Sequence, residues 1–276
     1  MDKERIIGQK LLPEQVCLYY LGQVGMLMQY RGKFILIDGY LSDYVDRHCC
    51  RGDLVWVRNY PAPIRPEELD FVDYVFCTHG HFDHADPDTL RAIAKVNKKA
   101  RFFVPAPIRD DVAAYGIPAE RMEGMHPDVQ VTLDAEITVT AIPAAHEELH
   151  PDAQGDYPEM GYIFRLGALK LYHAGDCCPY DGLEARLAGC NVLMMPINGR
   201  DYMRRYEQDV IGNFDSVEVI TLAKRVNADL LIPLHFDLYD INGVNPAYFV
   251  DCLRRINAAQ RFHIFAPGEK YIVDQG

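Results

Sequence analysis

Apolar residues along this chain come in short blocks separated by polar or glycine-containing breaks. The segments VCLYYL at 16–21, VGMLMQY at 24–30 and KFILID at 33–38 are rich in β-branched and aromatic side chains. Gly-Gln and Arg-Gly pairs divide them, which predicts an antiparallel meander. Residues 40–70 hold neither a helical nor an alternating period for long and carry Pro61, Pro63 and Pro66, so this stretch reads as a long loop. DYVFCT at 73–78 reads as a buried strand that runs into a polar turn. Asp86-Pro87 then opens an amphipathic helix over DTLRAIAKVN, because proline at the first helical turn gives up only an N–H that has no partner within the helix. Further strands are predicted at RFFVP (101–105), VQVTL, ITVTAIPAAH, YIFRL, KLYHAGD, NVLMMP, ADLLIPLH and FHIFAP, with helices near 107–115, 182–188, 215–226 and 246–257.

The alternation of strands and helices after about residue 160 places the chain in the α/β class. No repeat, low-complexity tract or linker interrupts it, and 276 residues is within reach of one α/β domain, so 1–276 reads as a single domain. A net charge of -12 repels nucleic-acid phosphates, which excludes a general nucleic-acid binder. No apolar run approaches the roughly 20 residues needed to cross a bilayer, and the opening MDKERIIGQKLLPEQ is charged where a signal peptide is apolar. The expectation is a cytoplasmic protein without a membrane partner. Its eight cysteines are scattered through strands and loops, which fits reduced thiols.

The sharpest chemical signal is Thr78-His79-Gly80-His81-Phe82-Asp83-His84, three imidazoles and a carboxylate crowded into one turn. Packed this closely, such groups repel one another and lose hydration unless a cation compensates them. Three more candidates each end an apolar strand: His146 after ITVTAIPAA, Asp176 after KLYHAG and His235 after DLLIPL. In α/β sheets, strand ends are where side chains converge on a common crevice. Histidine nitrogens mixed with carboxylate oxygens suit zinc, manganese or iron, so the expected cofactor is one or two divalent cations, zinc or manganese foremost.

In this order, HxHxDH and then His, Asp and His, the chain resembles the metallo-β-lactamase superfamily. The resemblance implies an αββα sandwich with metals at one edge. It implies that His79, His81 and His146 hold a first metal, that Asp83, His84 and His235 hold a second, and that Asp176 bridges them. It also implies hydrolysis by a metal-activated water, with Asp83 binding metal and orienting the water, and with Asp83 or a metal-bound water protonating the leaving group. The redox branch of the superfamily carries Glu where this chain has Asp83 or His84, which favours hydrolysis.

Longer pieces resemble the L-ascorbate-6-phosphate lactonase family. They are Leu21-Gly22-Gln23-Val24-Gly25, Ile37-Asp38-Gly39-Tyr40-Leu41-Ser42-Asp43, the stretch from Pro61-Ala62-Pro63-Ile64 to Leu69, Pro196-Ile197-Asn198-Gly199-Arg200-Asp201 with Ile211-Gly212-Asn213-Phe214, and Ile232-Pro233-Leu234-His235-Phe236-Asp237. Two departures stand out: Gly80 replaces the Asp usual in that family, and the chain is shorter than its typical members. The implied substrate is a small phosphorylated sugar-acid lactone, and the family also implies a homo-oligomer. Arg200 is the first candidate to grip the phosphate, with Arg204, Arg205 and Arg65 behind it, since a guanidinium binds phosphate in bidentate fashion. Asn198 either orients substrate or caps a turn.

His173 reads equally as a partner orienting a ligand or as a core histidine. Cys177 and Cys178 follow Asp176 without a demand for metal binding, and His48, His126, His150 and His263 read as non-ligands. Two alternatives to the lactonase keep the metal site: a phosphodiesterase, because a dinuclear centre stabilises either transition state, and a non-catalytic metal-binding scaffold.

Overall fold

The computed structural model describes residues 1–274, and the chain divides into two compact units, Met1–Met125 with the segment from Phe265 onward, and His126–Ile264. The first unit is built on strands β1 (Val16–Gly22), β2 (Gly25–Tyr30), β3 (Lys33–Ile37), β4 (Tyr74–Phe76), β5 (Arg101–Pro105) and β6 (Met122–Met125). The second carries β7 (Gln130–Asp134), β8 (Ile137–Pro143), β9 (Met160–Leu166), β10 (Leu169–His173), β11 (Val192–Pro196), β12 (Leu230–Leu234) and β13 (Arg261–Phe262), after which β14 (Lys270–Val273) returns to the first.

In the first unit the sheet order is β14-β1-β2-β3-β4-β5-β6. The meander forms as expected, with β1–β2 and β2–β3 antiparallel and Met26 opposite Ile37. From β3 to β6 the pairing is parallel, so β3, β4 and β5 end at the same edge. Helices α1 (Lys3–Ile7), α2 (Tyr44–His48), α3 (Pro87–Val96) and α4 (Arg109–Ala113) accompany this sheet. α3 starts where Asp86-Pro87 predicted: the Asp86 carboxylate accepts from Asp88 N, and Leu90, Ile93 and Ala94 are buried in a core shared with Leu36, Val75 and Phe102. Burying each large aliphatic side chain there contributes about 2 kcal/mol.

The second sheet runs β13-β12-β11-β10-β9-β8-β7. β7 to β10 pair antiparallel and β10 to β13 parallel, so β8, β10, β11 and β12 all point the same way and finish at one edge. Helices α5 (Leu183–Arg186), α6 (Ser216–Val226) and α7 (Pro246–Ile256) complete this unit. α6 opens with a capping box, Glu218 N donating to Asp215 Oδ1 at 2.8 Å and Asp215 N to Glu218 Oε2 at 2.9 Å.

Several expectations shift. The 40–70 loop contains α2 and a short 3₁₀ turn at Pro66–Glu68. α5 is shorter than the predicted 182–188 because Gly182 (φ 95) and Gly189 (φ 76) take left-handed backbone that a helix excludes. FHIFAP pairs with β12 only at its start, through Phe262 opposite Leu231 and His263 N donating to Leu231 O at 3.1 Å, since a turn at Ala266–Glu269 with Gly268 at φ 81 redirects the chain into β14. β6 and α1 carry too few apolar residues to show a period. Among the described residues no helix is long and apolar enough to cross a membrane.

Candidate metal centre

In the first unit the motif turn follows β4 and folds tightly on itself, with His84 N and Ala85 N both donating to His81 O at 3.0 and 2.8 Å. Beside it, at the end of β3, sits Asp38, whose N–H donates to Phe76 O at 2.9 Å. Its fully buried carboxylate accepts from Thr78 N at 2.8 Å, from Thr78 Oγ1 at 2.7 Å and from His84 Nδ1 at 2.9 Å. Because a carboxylate can only accept, His84 must carry its proton on Nδ1, and its Nε2 keeps a lone pair. Thr78 spends its hydroxyl proton on Asp38, so the 3.1 Å contact from His79 Nδ1 to Thr78 Oγ1 is a bond that His79 donates. His79 Nε2 is thereby also a lone-pair donor. The two rings lie 4.0 Å apart between centroids, with His79 4.7 Å from the more exposed His81.

Asp83 is only partly buried and is held by Gln23, whose Nε2 donates to Asp83 Oδ2 at 2.8 Å. The same oxygen stands 3.7 Å from His84 Nε2. Gly80 leaves open room: a Cβ there would meet only Ile108 Cδ1, at 3.9 Å. Phe82 packs against Tyr44 of α2 at 4.9 Å between centroids, which sets part of the 40–70 loop against the motif turn.

In the second unit, the ends of β8, β10 and β12 bring His146, Asp176 and His235 together. His146 Nε2 and His235 Nε2 each lie 3.5 Å from Asp176 Oδ2, and all three side chains are buried. Two donor atoms sharing a zinc-sized ion at about 2.1 Å and a tetrahedral angle stand roughly 3.4 Å apart. The separations within each unit match that spacing, and the donor set suits a divalent cation. His173 is fully buried and its Nδ1 accepts from Gly175 N at 3.2 Å, so it orders the turn that carries Asp176. Burial pushes the Cys177 thiol up to about 12, so without a cation it stays protonated near neutral pH.

The substrate-binding candidates meet protein partners. Arg200 follows β11 and forks onto Glu218 (Nη2 to Oε1 2.6 Å, Nη1 to Oε2 3.0 Å), while Nη1 also donates to Asn213 O at 2.7 Å. This pairing, Glu218 above all, raises the guanidinium pKa still further. Asn198 is buried in an amide network, donating to Asn242 Oδ1 at 2.9 Å and accepting from Asn213 Nδ2 at 3.1 Å. Arg204 joins it through Asn242 Oδ1 and Asn198 O. Gly199 and Gly212 explain their motif: a Cβ on Gly212 would stand 2.4 Å from Gly199 O, so two backbone stretches touch where no side chain fits. Arg65 is largely exposed beside Glu68. His126 and His150 pair on the surface with Asp156 (2.8 Å) and Glu159 (3.4 Å).

Gln23, Asp38 and Thr78 were not singled out as functional from sequence. A signal existed for the first two: each is a polar residue closing an apolar strand inside a matched motif. Gln23 (φ 58), Asp38 (φ 46), Glu147 (φ 65) and His235 (φ 57) adopt left-handed backbone that side chains resist. Strain of about 1–3 kcal/mol at such positions collects around functional side chains.

Residues 34–236 match a family described as Beta-lactamase superfamily domain. The chain is similar to a UPF0173 metal-dependent hydrolase of Aeropyrum pernix, 26% identical over 274 residues that cover 93% of this chain and 97% of the relative. Another from Archaeoglobus fulgidus is 27% identical over 271 residues, covering 91% and 96%. Among solved structures it is similar to an isothiocyanate hydrolase from Delia radicum gut bacteria, with a TM-score of 0.74, 19% identity and coverage of 94% and 99%. A possible metal-dependent hydrolase from Veillonella parvula gives a TM-score of 0.74 at 16% identity, covering 92% and 98%. The metallo-β-lactamase fold protein YhfI from Bacillus subtilis gives 0.66 at 15%, covering 94% and 100%. Likeness at these identities shows a shared fold.

Proposed function

Because the chain belongs to the β-lactamase superfamily and has the metallo-β-lactamase fold, we propose that it is a metal-dependent hydrolase, a single catalytic domain in which seven side chains serve one or two divalent cations. His79, His81, Asp83 and His84 act with His146, Asp176 and His235. The observation that carries this reading is the set of bonds from Asp38, direct to His84 and through the Thr78 hydroxyl to His79, which fixes both rings with Nε2 as the lone-pair nitrogen. The approach of two imidazoles to one Asp176 oxygen supports it from the second unit. The curated relatives are named metal-dependent hydrolases as well.

When bound, a divalent cation supplies the charge that lowers the pKa of water from about 16 toward 7 and polarises a carbonyl or phosphoryl oxygen. The protein supplies orientation. Gln23 holds one oxygen of Asp83, which leaves that carboxylate aimed and able to take a proton from water and return it to the leaving group. Asp38 holds the imidazoles in one tautomer, so no proton has to move before a ligand binds.

The substrate we assign is a small phosphorylated sugar-acid lactone such as L-ascorbate 6-phosphate, supported by the motif pieces around Asp38, Asn198 and His235. Zinc and manganese are the assigned metals, the cytoplasm the assigned compartment and a homo-oligomer the assigned state. Arg200 reaches a phosphate only by sharing its fork with Glu218, and Asn198 contributes by holding the Gly199–Asn213 clasp.

The test is a metal analysis of the purified chain followed by assay against a panel of lactones, bis(p-nitrophenyl) phosphate and an isothiocyanate. Stoichiometric metal and lactone turnover are expected, with Asp83→Asn keeping the fold and losing about 100-fold or more in kcat. Turnover of the diester alone would replace the lactonase by the phosphodiesterase reading. A chain that binds no divalent cation would end the hydrolase proposal.

A further inference from the structure

The segment Asp201–Asp209 stands out in the second unit. It makes a single π-turn over Met203–Glu207, closed by Gln208 N donating to Met203 O at 3.1 Å. Isolated π-turns are uncommon and collect at functional sites. This one turns Tyr202, Met203 and Tyr206 to solvent at 67%, 59% and 71% exposure, with the two tyrosine rings 5.0 Å apart. Its base is firm, because Arg204 ties it to Asp201, to Asn198 O at 2.8 Å and to Asn242 Oδ1 at 3.1 Å.

The next residue does something different. Arg205 leaves the turn and pairs with Glu147, Nε to Oε2 at 2.6 Å. Glu147 directly follows His146 and is held at φ 65, a strained conformation for a side chain with a Cβ. A bridge between His146 and Glu148 flanks it, so the backbone at 146–148 makes a tight reversal with Glu147 at its apex. An ion pair at that apex favours the strained geometry and with it the direction in which His146 leaves the strand end. Within the exposed turn, Arg205 is the residue that connects the aromatic face to a proposed ligand.

We propose that Arg205 is a positioning residue for His146, acting through Glu147, and that it couples the exposed Asp201–Asp209 turn to metal occupancy. This rests on the assignment of His146 as a metal ligand made above. Metal binding then orders the turn, and by reciprocity an ordered turn tightens metal binding.

The experiment uses the full chain with Zn²⁺ alone. Affinity is measured by competition with a chromophoric chelator, and amide hydrogen exchange of 201–209 is followed with and without Zn²⁺. Arg205→Met and Glu147→Gln are expected to weaken Zn²⁺ binding about fivefold or more, toward the 10–100-fold losses seen when groups supporting a ligand are removed. Arg205→Lys restores most of the affinity, and Tyr206→Ser leaves it unchanged. In the parent chain Zn²⁺ slows exchange in the turn, and in Arg205→Met it does not. Folded Arg205→Met and Glu147→Gln chains that bind Zn²⁺ like the parent would overturn the proposal, as would equal protection of the turn in parent and variant. A parent chain that binds no Zn²⁺, or whose binding survives His146→Ala, would instead remove the ligand assignment beneath it.

Discussion

Asp38 accepts a hydrogen bond from His84 Nδ1 at 2.9 Å with both side chains completely buried. That one bond decides which nitrogen of His84 can hold a cation. An Asn at position 38 tolerates the left-handed backbone but presents NH₂ where two donors now point, so His84 is pushed toward the opposite tautomer. Asp38→Asn is expected to lower divalent-metal affinity by about 10–100-fold while the far-UV circular dichroism stays unchanged. Titration against a chelator checks this, and unchanged affinity would show that the relay does not set the tautomer.

Gly80 tests how much of the motif turn is strained. Its φ is not left-handed and a Cβ would meet only one atom at 3.9 Å, so an L side chain fits. Gly80→Asp is expected to fold with a Tm within about 2 °C of the parent. A larger fall in a thermal melt would mean that the turn needs glycine after all.

Arg200 separates support from substrate contact. Removing its fork leaves Glu218 and the Asn213 carbonyl without a major partner, a loss expected to cost about 1–3 kcal/mol and several degrees of Tm in Arg200→Met. If Arg200 grips substrate phosphate instead, KM rises for phosphorylated substrates with little change in the melt. Comparing phosphorylated and unphosphorylated lactones alongside calorimetry tells the two apart.

The buried thiols predict a chemical and a pH result. All eight cysteines are thiols outside any disulfide, but Cys50 is exposed whereas Cys77 and Cys177 are buried. Burial raises Cys77 and lifts Cys177 from 9.0 to about 12. Alkylation at pH 8 should therefore label Cys50 first and spare Cys77 and Cys177 until the protein is denatured, as peptide mass spectrometry would read. For a thiol raised on folding, the unfolded chain releases its proton first. Its contribution to stability is complete below pH 9 and is lost as the pH climbs toward 12, by up to about 1.4 kcal/mol per pH unit for one thiol. Urea midpoints should fall from pH 9 upward, and midpoints flat to pH 11 would contradict the shift.

How much of this was legible beforehand depends on the range of the interaction. The meander, the start of α3 and the motif turn follow from neighbours in the chain, whose period and capping residues lie within a few positions of one another. His146, Asp176 and His235 were legible as strand ends, because β8, β10 and β12 are apolar runs stopped by a polar residue. The capping box of α6 is equally local, yet the use of Glu218 to hold Arg200 was not visible, since the two meet only after the loop from 197 to 214 closes on itself.

Read alone, the chain already offered its candidate cation donors, since ligand chemistry belongs to residue types and their crowding at 79–84 needs no fold to be recognised. It also determined the α/β class, through strand and helix periods that are written locally. The bonds from Asp38 and Gln23 to those candidates, and the protein partners that occupy Arg200 and Asn198, emerged with the folded chain alone. The reason is physical: a hydrogen bond across forty or more residues depends on strand order and register, which the whole core sets at once.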